Sequence, residues 1–231
     1  MALQTAGCGA LIVNVTGTIY HPELGELINY EAIPISSDPD TQVAQTIHRM
    51  KLNVIEDANS YPIQRDAAAI SQYGPTGDAC SDTFWHVKGK LSFRQDEQLA
   101  QPVRGFLDGD VIEVLIRPRD LANMDTPLED CDGYASLLPA LLRAQGVPCS
   151  FVTVAADDRE PGRFSHVYAA CYPDGRRVAL DASHGPYPGW DSIDTGQVTR
   201  VKEWPIDGPD WGELLLIGLV LFAAAWAWRF L

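Results

Sequence analysis

The hydrophobic period of this chain changes sharply at Gly146-Val147-Pro148. Before that point Tyr134, Leu137, Leu138, Leu141 and Leu142 recur at helical spacing, and they predict a helix over 131–145 with a broad apolar stripe. Gly146 stands where a left-handed C-cap is common, and Pro148 prevents the helix from continuing. Beyond it lie three short segments, 150–156 (SFVTVAA), 164–172 (FSHVYAACY) and 176–182 (RRVALDA), each reading as a strand. Turn-forming residues at 157–162 and at Pro173-Asp174-Gly175 divide them. One helix followed by three strands with short turns calls for an antiparallel sheet packed on that helix, an α+β arrangement.

Upstream, residues 11–20 (LIVNVTGTIY) and 26–35 (ELINYEAIPI) are rich in β-branched and aromatic residues and predict a hairpin with a longer loop, His21 to Gly25. Val43, Ile47, Met50 and Val54 predict a helix starting near Asp40. A short helix over 63–72, a loop over 73–79 and a segment 81–93 that is helical at its start follow. Residues 111–117 (VIEVLIR) read as an extended segment ended by Pro118. Residues 185–212, rich in Gly, Pro, Asp and Trp, predict a surface wrap and linker.

Thiol chemistry needs a thiolate, a base that reaches the sulfur and a third group that orients the base. Cys131 opens the strongest helix of the chain, where free N–H groups and the helix dipole favour the thiolate. His166 lies in the second strand and Asp181 ends the third, so adjacent antiparallel strands would set the two side by side. A lone Cys at a helix start is more often a small buried residue than a nucleophile; the three residues together make the catalytic reading.

The stretch EDCDGYASLLPALLRAQGVPCSFVTVA, then FSHVYAACY, then RRVALDAS resembles the transglutaminase-like superfamily, relatives of papain-type peptidases. That family shows Gly-Asp-Cys-Asp opening a helix, Ser-His-Val in a strand and an aspartate ending the next strand. The motifs cover residues 80–190. The flanking QVAQTIHRM, YPIQRDAAAI, FWHVKGKLSFRQDE and EVLIRPRDL resemble phage and prophage members, which extends the likeness to 40–190. The resemblance implies Cys131 as nucleophile, His166 as general base and acid, and Asp181 as the residue orienting the imidazole. It implies acyl transfer at a peptide or side-chain amide through a Cys thioester: hydrolysis, deamidation or transamidation. Two positions depart from the pattern. Glu129 stands at the usual glycine, and Gly133 where many members carry a second aspartate. Glu129, Asp130 and Asp132 place negative charge beside the thiol, so a catalytically silent structural or interaction protein, such as a minor membrane-associated virion component, is the alternative. The expected resolution is that Asp130 caps the helix or Asp132 engages its first turn. Trp85 and Gln95 are candidates to line the oxyanion position beside the Cys131 N–H.

Composition bounds the rest. The chain has 231 residues, enough for one packed domain with appendages. Lys plus Arg number 17 against 31 Asp plus Glu, a net charge of −14 that argues against nucleic-acid binding. Five cysteines, Cys8, Cys80, Cys131, Cys149 and Cys171, are odd in number and widely spaced without a CxxC pair, so no structural zinc is expected. With no basic N-terminal leader, free thiols in a reducing compartment are expected. No cofactor is expected, since neither a glycine-rich phosphate loop nor a metal-ligand cluster is visible. Cys149 and Cys171 read as core residues, His184 as a loop histidine, and Phe84, Trp85, Phe164 and Tyr168 as core or cleft wall.

Residues 214–228 form an uncharged apolar run. Counted on to Leu231, a helix there would reach roughly 27 Å at ~1.5 Å per residue, close to the ~30 Å hydrocarbon core. Trp211, Trp226 and Trp228 flank it like interfacial belts. The expected organisation is a hairpin region over 1–38, a transglutaminase-like domain over 39–190, a linker over 191–212 and a membrane-anchoring helix over 213–231. The catalytic domain is then expected in the cytoplasm or inside a virion, with a protein or peptide substrate.

Overall fold

Three of the helices begin just after an aspartate whose side chain closes the first turn. Helix α1 (Pro39–Asp57) follows Asp38, whose carboxylate accepts the Thr41 N–H at 2.9 Å. Helix α2 (Tyr61–Tyr73) starts after Ser60 with a proline in its first turn, and α3 (Ala79–Lys90) after Asp78, which accepts the Ser81 N–H at 2.9 Å. Pro118, read from sequence only as the end of an extended segment, also opens a short helix α4 (Pro118–Asn123), where its missing N–H costs nothing. Helix α5 (Cys131–Ala144) follows Asp130. These elements belong to a computed structural model that describes residues 15–21, 26–34, 36–94 and 112–207.

Helix α5 is the hub. Every residue from Asp132 to Leu142 is buried, and α1, α2, α3 and α4 all pack against it. Leu137, Leu138, Leu141 and Leu142 are fully excluded from water, and each contributes about 1.5–3 kcal/mol. Pro139 lies inside the helix and forfeits one backbone hydrogen bond there. Gly146 adopts φ +76°, the left-handed cap expected from its position.

The expected sheet lies on the other side of α5. Strands β6 (Cys149–Ala155), β7 (His166–Cys171) and β8 (Val178–Leu180) are antiparallel, with Val154 opposite His166 and Ala169 opposite Leu180. Phe151, Ala169, Cys171 and Leu180 join the α5 core, while Val152, Val154, Tyr168, Ala170 and Ala179 form a second apolar cluster. Both faces of β6 are therefore buried, which explains its continuous apolar run. A fourth strand, β9 (Arg200–Pro205), pairs with β6 and completes the order β8-β7-β6-β9. This corrects the linker reading of 191–212. Strand β9 is almost wholly exposed, so it lacks an apolar pattern; backbone pairing and the Trp204 Nε1–H bond to Thr153 Oγ1 at 3.0 Å hold it.

The hairpin is present as β1 (Val15–His21) and β2 (Glu26–Pro34), and β4 (Ile112–Ile116) adds to β2. Glu31 of β2 is buried and receives Arg49 of α1 at 2.7 and 2.6 Å and Asn53 at 3.1 Å. Arg117, just past β4, binds buried Asp57 at 2.6 and 3.1 Å. A charge network thus joins the hairpin sheet to α1. Two short parallel strands, β3 (Ser92–Phe93) and β5 (Leu128–Glu129), deliver the chain to α5, with Phe93 opposite Glu129.

The expectation of free thiols is corrected in part. Cys80, in the first turn of α3, and Cys171, at the end of β7, form a disulfide across a sequence separation of 91. No local spacing reports such a pair, because α3 and β7 meet only through the tertiary fold. Cys131 and Cys149 remain thiols. The apolar run over 213–231 lies outside the described residues; among those described, no helix is long and apolar enough to cross a membrane. The architecture is mixed α and β, with helices packed against an antiparallel sheet.

Candidate active site

The N-terminus of α5, the start of β7 and the end of β8 converge on one cleft. Asp130 is the N-cap of α5, and its carboxylate accepts the Asp132 N–H at 3.1 Å. Capping by Asp130 is one of the two expected arrangements. The half-buried Cys131 is the first residue of the helix, and its chain neighbours Asp130 and Asp132 lie in the cleft walls with it.

The two departures from the motif compensate each other sterically. A Cβ on Gly133 would stand 2.5 Å from the Glu129 carboxylate and 2.6–2.7 Å from its Cβ and Cγ. The Glu129 side chain fills the room that a side chain at 133 would need. Glu129 is 3% exposed and Asp132 6%, and the carboxylate groups of Glu129, Asp130 and Asp132 lie within 4.8 Å of one another. That negative charge opposes thiolate formation.

His166 and Asp181 meet as the strand register demands. His166 Nε2 lies 2.8 Å from Asp181 Oδ2. His166 itself lines the cleft. Asp181 is 1% exposed. Its second oxygen accepts the Ser183 hydroxyl at 2.8 Å and the His184 N–H at 3.0 Å. Burial works against its charge, but the His166 hydrogen bond and charge, with the His184 and Ser183 bonds, hold its carboxyl below the usual range. The His166 ring also stacks on Tyr168 at 5.8 Å, whose hydroxyl donates to Asp191 at 2.6 Å. Arg177 pairs with the other oxygen of Asp191 at 2.6 Å, so the ring under His166 is itself held by a charged pair.

Two cavities meet at Cys131 and His166, and Asp130 and Ser165 line both as well. The larger, about 770 Å³, adds Phe93, Asp157, Asp158, Asp181, His184 and Trp190. The smaller, about 190 Å³, is walled by Val43, Ile47 and Met50 of α1 and by Phe164 and Val167.

The three residues singled out from sequence are thus brought to one place: Cys131 and His166 at the junction, and Asp181 behind His166. Trp85 does not line either cavity, and Gln95 lies outside the described residues. Phe164 is a cleft wall, Phe84 and Tyr168 are core, and Trp85 is 46% exposed. Two residues were missed. His184, read as a loop histidine, stands edge-on to His166 at 4.7 Å and to Phe93 at 5.0 Å. Burial, and then the neighbouring His166, push its imidazole below its ordinary range. Ser183 links it to Asp181, with Oγ 2.9 Å from His184 Nδ1. The available signal was the sequence Asp181-Ala182-Ser183-His184, in which an aspartate at a strand end turns back on the next residues.

His166, Asp181 and His184 place possible metal-ligand atoms within 4.8 Å of one another. Both Asp181 oxygens are engaged by hydrogen bonds, and one of these orients the His166 imidazole.

No protein-family model and no curated protein matches the sequence. A solved structure aligns with it: a Cytophaga hutchinsonii protein provisionally described as a cysteine protease, 16% identical over 80% of this chain, with a TM-score of 0.36. This chain spans 65% of that protein's length.

Proposed function

We propose that the protein is a transglutaminase-like thiol enzyme that acts on peptide or side-chain amides. The observation that carries this reading is the convergence of Cys131 and His166 on one cleft with Asp181 bound to the far nitrogen of the imidazole. The Cys131 sulfur attacks the amide carbonyl, forming a C–S bond. His166 carries the thiol proton to the departing amine as the C–N bond breaks. Water or a second amine then displaces the sulfur, giving hydrolysis, deamidation or transamidation. The Cys131 backbone N–H stabilises the oxyanion. Asp181 holds the imidazole in the tautomer that presents Nδ1 to the sulfur.

The structure offers a clean test of the nucleophile. Cys80 and Cys171 are bonded to each other, and burial pushes the Cys149 thiol up to about 12. In a Cys8→Ser background, iodoacetamide at pH 6 should therefore modify Cys131 alone, and adding Cys131→Ala should abolish labelling. Equal labelling of the two proteins, or none of either, would overturn the reading. The buried carboxylates of Glu129 and Asp132 favour the second reading, a silent structural member, and an unreactive Cys131 is what it requires.

A further inference from the structure

The two cavities at Cys131 differ in chemistry. The larger is walled in part by exposed acidic side chains of the β6–β7 turn, Asp157 and Asp158. The smaller is mostly apolar and lies under α1. Its walls come from elements distant in sequence: Val43, Ile47 and Met50 from the helix, and Phe164 from the end of the β6–β7 turn. Ile47 and Met50 are themselves core residues, so that side is fixed by packing.

The Phe164 wall is held differently. Arg200, the first residue of β9, places its guanidinium 4.3 Å from the centre of the Phe164 ring. The same guanidinium makes two bonds to Asp40, in the first turn of α1, at 2.7 and 3.0 Å. The clamp joins three segments: the start of α1, the approach to β7 and the start of β9. It ties the Phe164 wall to the helix that forms the opposite one. A planar, bidentate guanidinium suits this double duty, since it pairs with a carboxylate and stacks on a ring at once.

We propose that the small cavity is the specificity pocket of the Cys131 site, that it takes one branched aliphatic side chain next to the attacked carbonyl, and that the Asp40–Arg200–Phe164 clamp sets its size. This rests on the thiol-enzyme reading above. The volume decides the class of side chain. A dry apolar cavity of ~150 Å³ accepts benzene, so about 190 Å³ accommodates a leucine- or valine-sized group and is tight for an indole. The polar remainder of the substrate lies in the larger cavity. Arg200 is a positioning residue, since it acts only through Phe164.

The test uses the full chain and a series of N-acetyl-aminoacyl chloromethyl ketones with Gly, Val, Leu or Trp side chains, beside iodoacetamide, which has no side chain. The Leu and Val probes should inactivate wild type roughly 10- to 100-fold faster than the Gly probe, the range that a hydrophobic pocket gives, with Trp slower than Leu. Val43→Trp should bring the Leu/Gly ratio toward one. Phe164→Ala should raise Trp relative to Leu. Arg200→Ala should narrow the Leu/Trp gap in the same direction, and Arg200→Lys should restore part of it. Ratios within one variant cancel a general loss of reactivity. A flat series in wild type, with iodoacetamide still modifying Cys131, overturns the pocket and leaves the enzyme reading standing. So does a Leu/Gly ratio that neither Val43→Trp nor Phe164→Ala alters. Failure of iodoacetamide to modify Cys131 overturns both.

Discussion

Two groups of buried acidic side chains are held in opposite ways. Between the hairpin sheet and α1, Glu31 and Asp57 are held by Arg49 and Arg117. In the cleft, Asp181 is held by His166, Ser183 and the His184 N–H. Arginine keeps its charge at any ordinary pH, so the first network has one protonation state and serves only to hold elements together. An imidazole changes charge near neutrality, so the second can move a proton. The same buried carboxylate is a fastening in one setting and a working part in the other. What decides is the partner.

The largest expected effect tests the working part. Asp181→Asn preserves shape but reverses the tautomer that His166 presents. Turnover of an activated ester by Cys131 should fall about 10³- to 10⁴-fold; a loss under tenfold would show that Asp181 merely packs. Next comes the covalent tie between α3 and β7, the strand that carries His166. By loop-closure entropy for a separation of 91 residues, paired Cys80→Ala and Cys171→Ala changes should cost roughly 4–5 kcal/mol in urea unfolding. The fastening is tested by Arg117→Met, which leaves Asp57 buried with less compensation. That should cost about 3–5 kcal/mol while leaving the pH profile of Cys131 alkylation where it was. A shifted profile would mean that the two charge centres are coupled.

The smallest effect is the acid response. Burial is the main cause that lowers His86 and His184 from the ordinary value of 6.5. The unfolded chain therefore takes up protons at these positions before the folded one, and stability should fall as pH drops below about 6.5. The lowered carboxyl of Asp181 adds stability that is present above the ordinary value of 3.8 and lost as pH falls through its folded value. Thermal unfolding between pH 8 and 3 should show the histidine step first. A combined His86→Gln and His184→Gln variant should flatten that step; an unchanged curve would place the acid sensitivity elsewhere.

The sequence made the centre of the fold legible because α5, β6, β7 and β8 each carry a strong period and a clear punctuation. Cys131, His166 and Asp181 sit at element ends, where a one-residue reading of the pattern already fixes their neighbours. The parts that stayed hidden depend on pairings between distant segments. Strand β9 is exposed and nearly patternless, and its place is set by β6. Cys80 and Cys171 look like unrelated core residues until α3 packs on the sheet. His184 looked idle because its partners, His166 and Phe93, come from other elements. Glu129 and Gly133 read as two departures from a motif, whereas in space they are one exchange of volume.

The Cys80–Cys171 bond also makes the middle of the molecule a closed covalent ring. Cys131 and His166 lie within it, as does the exposed turn at 157–162, while Asp181 lies on the tail beyond. A protease that cuts that turn opens the ring without dividing the molecule. The two pieces should migrate as one band until a reductant is added, and nucleophile and base should part company only then.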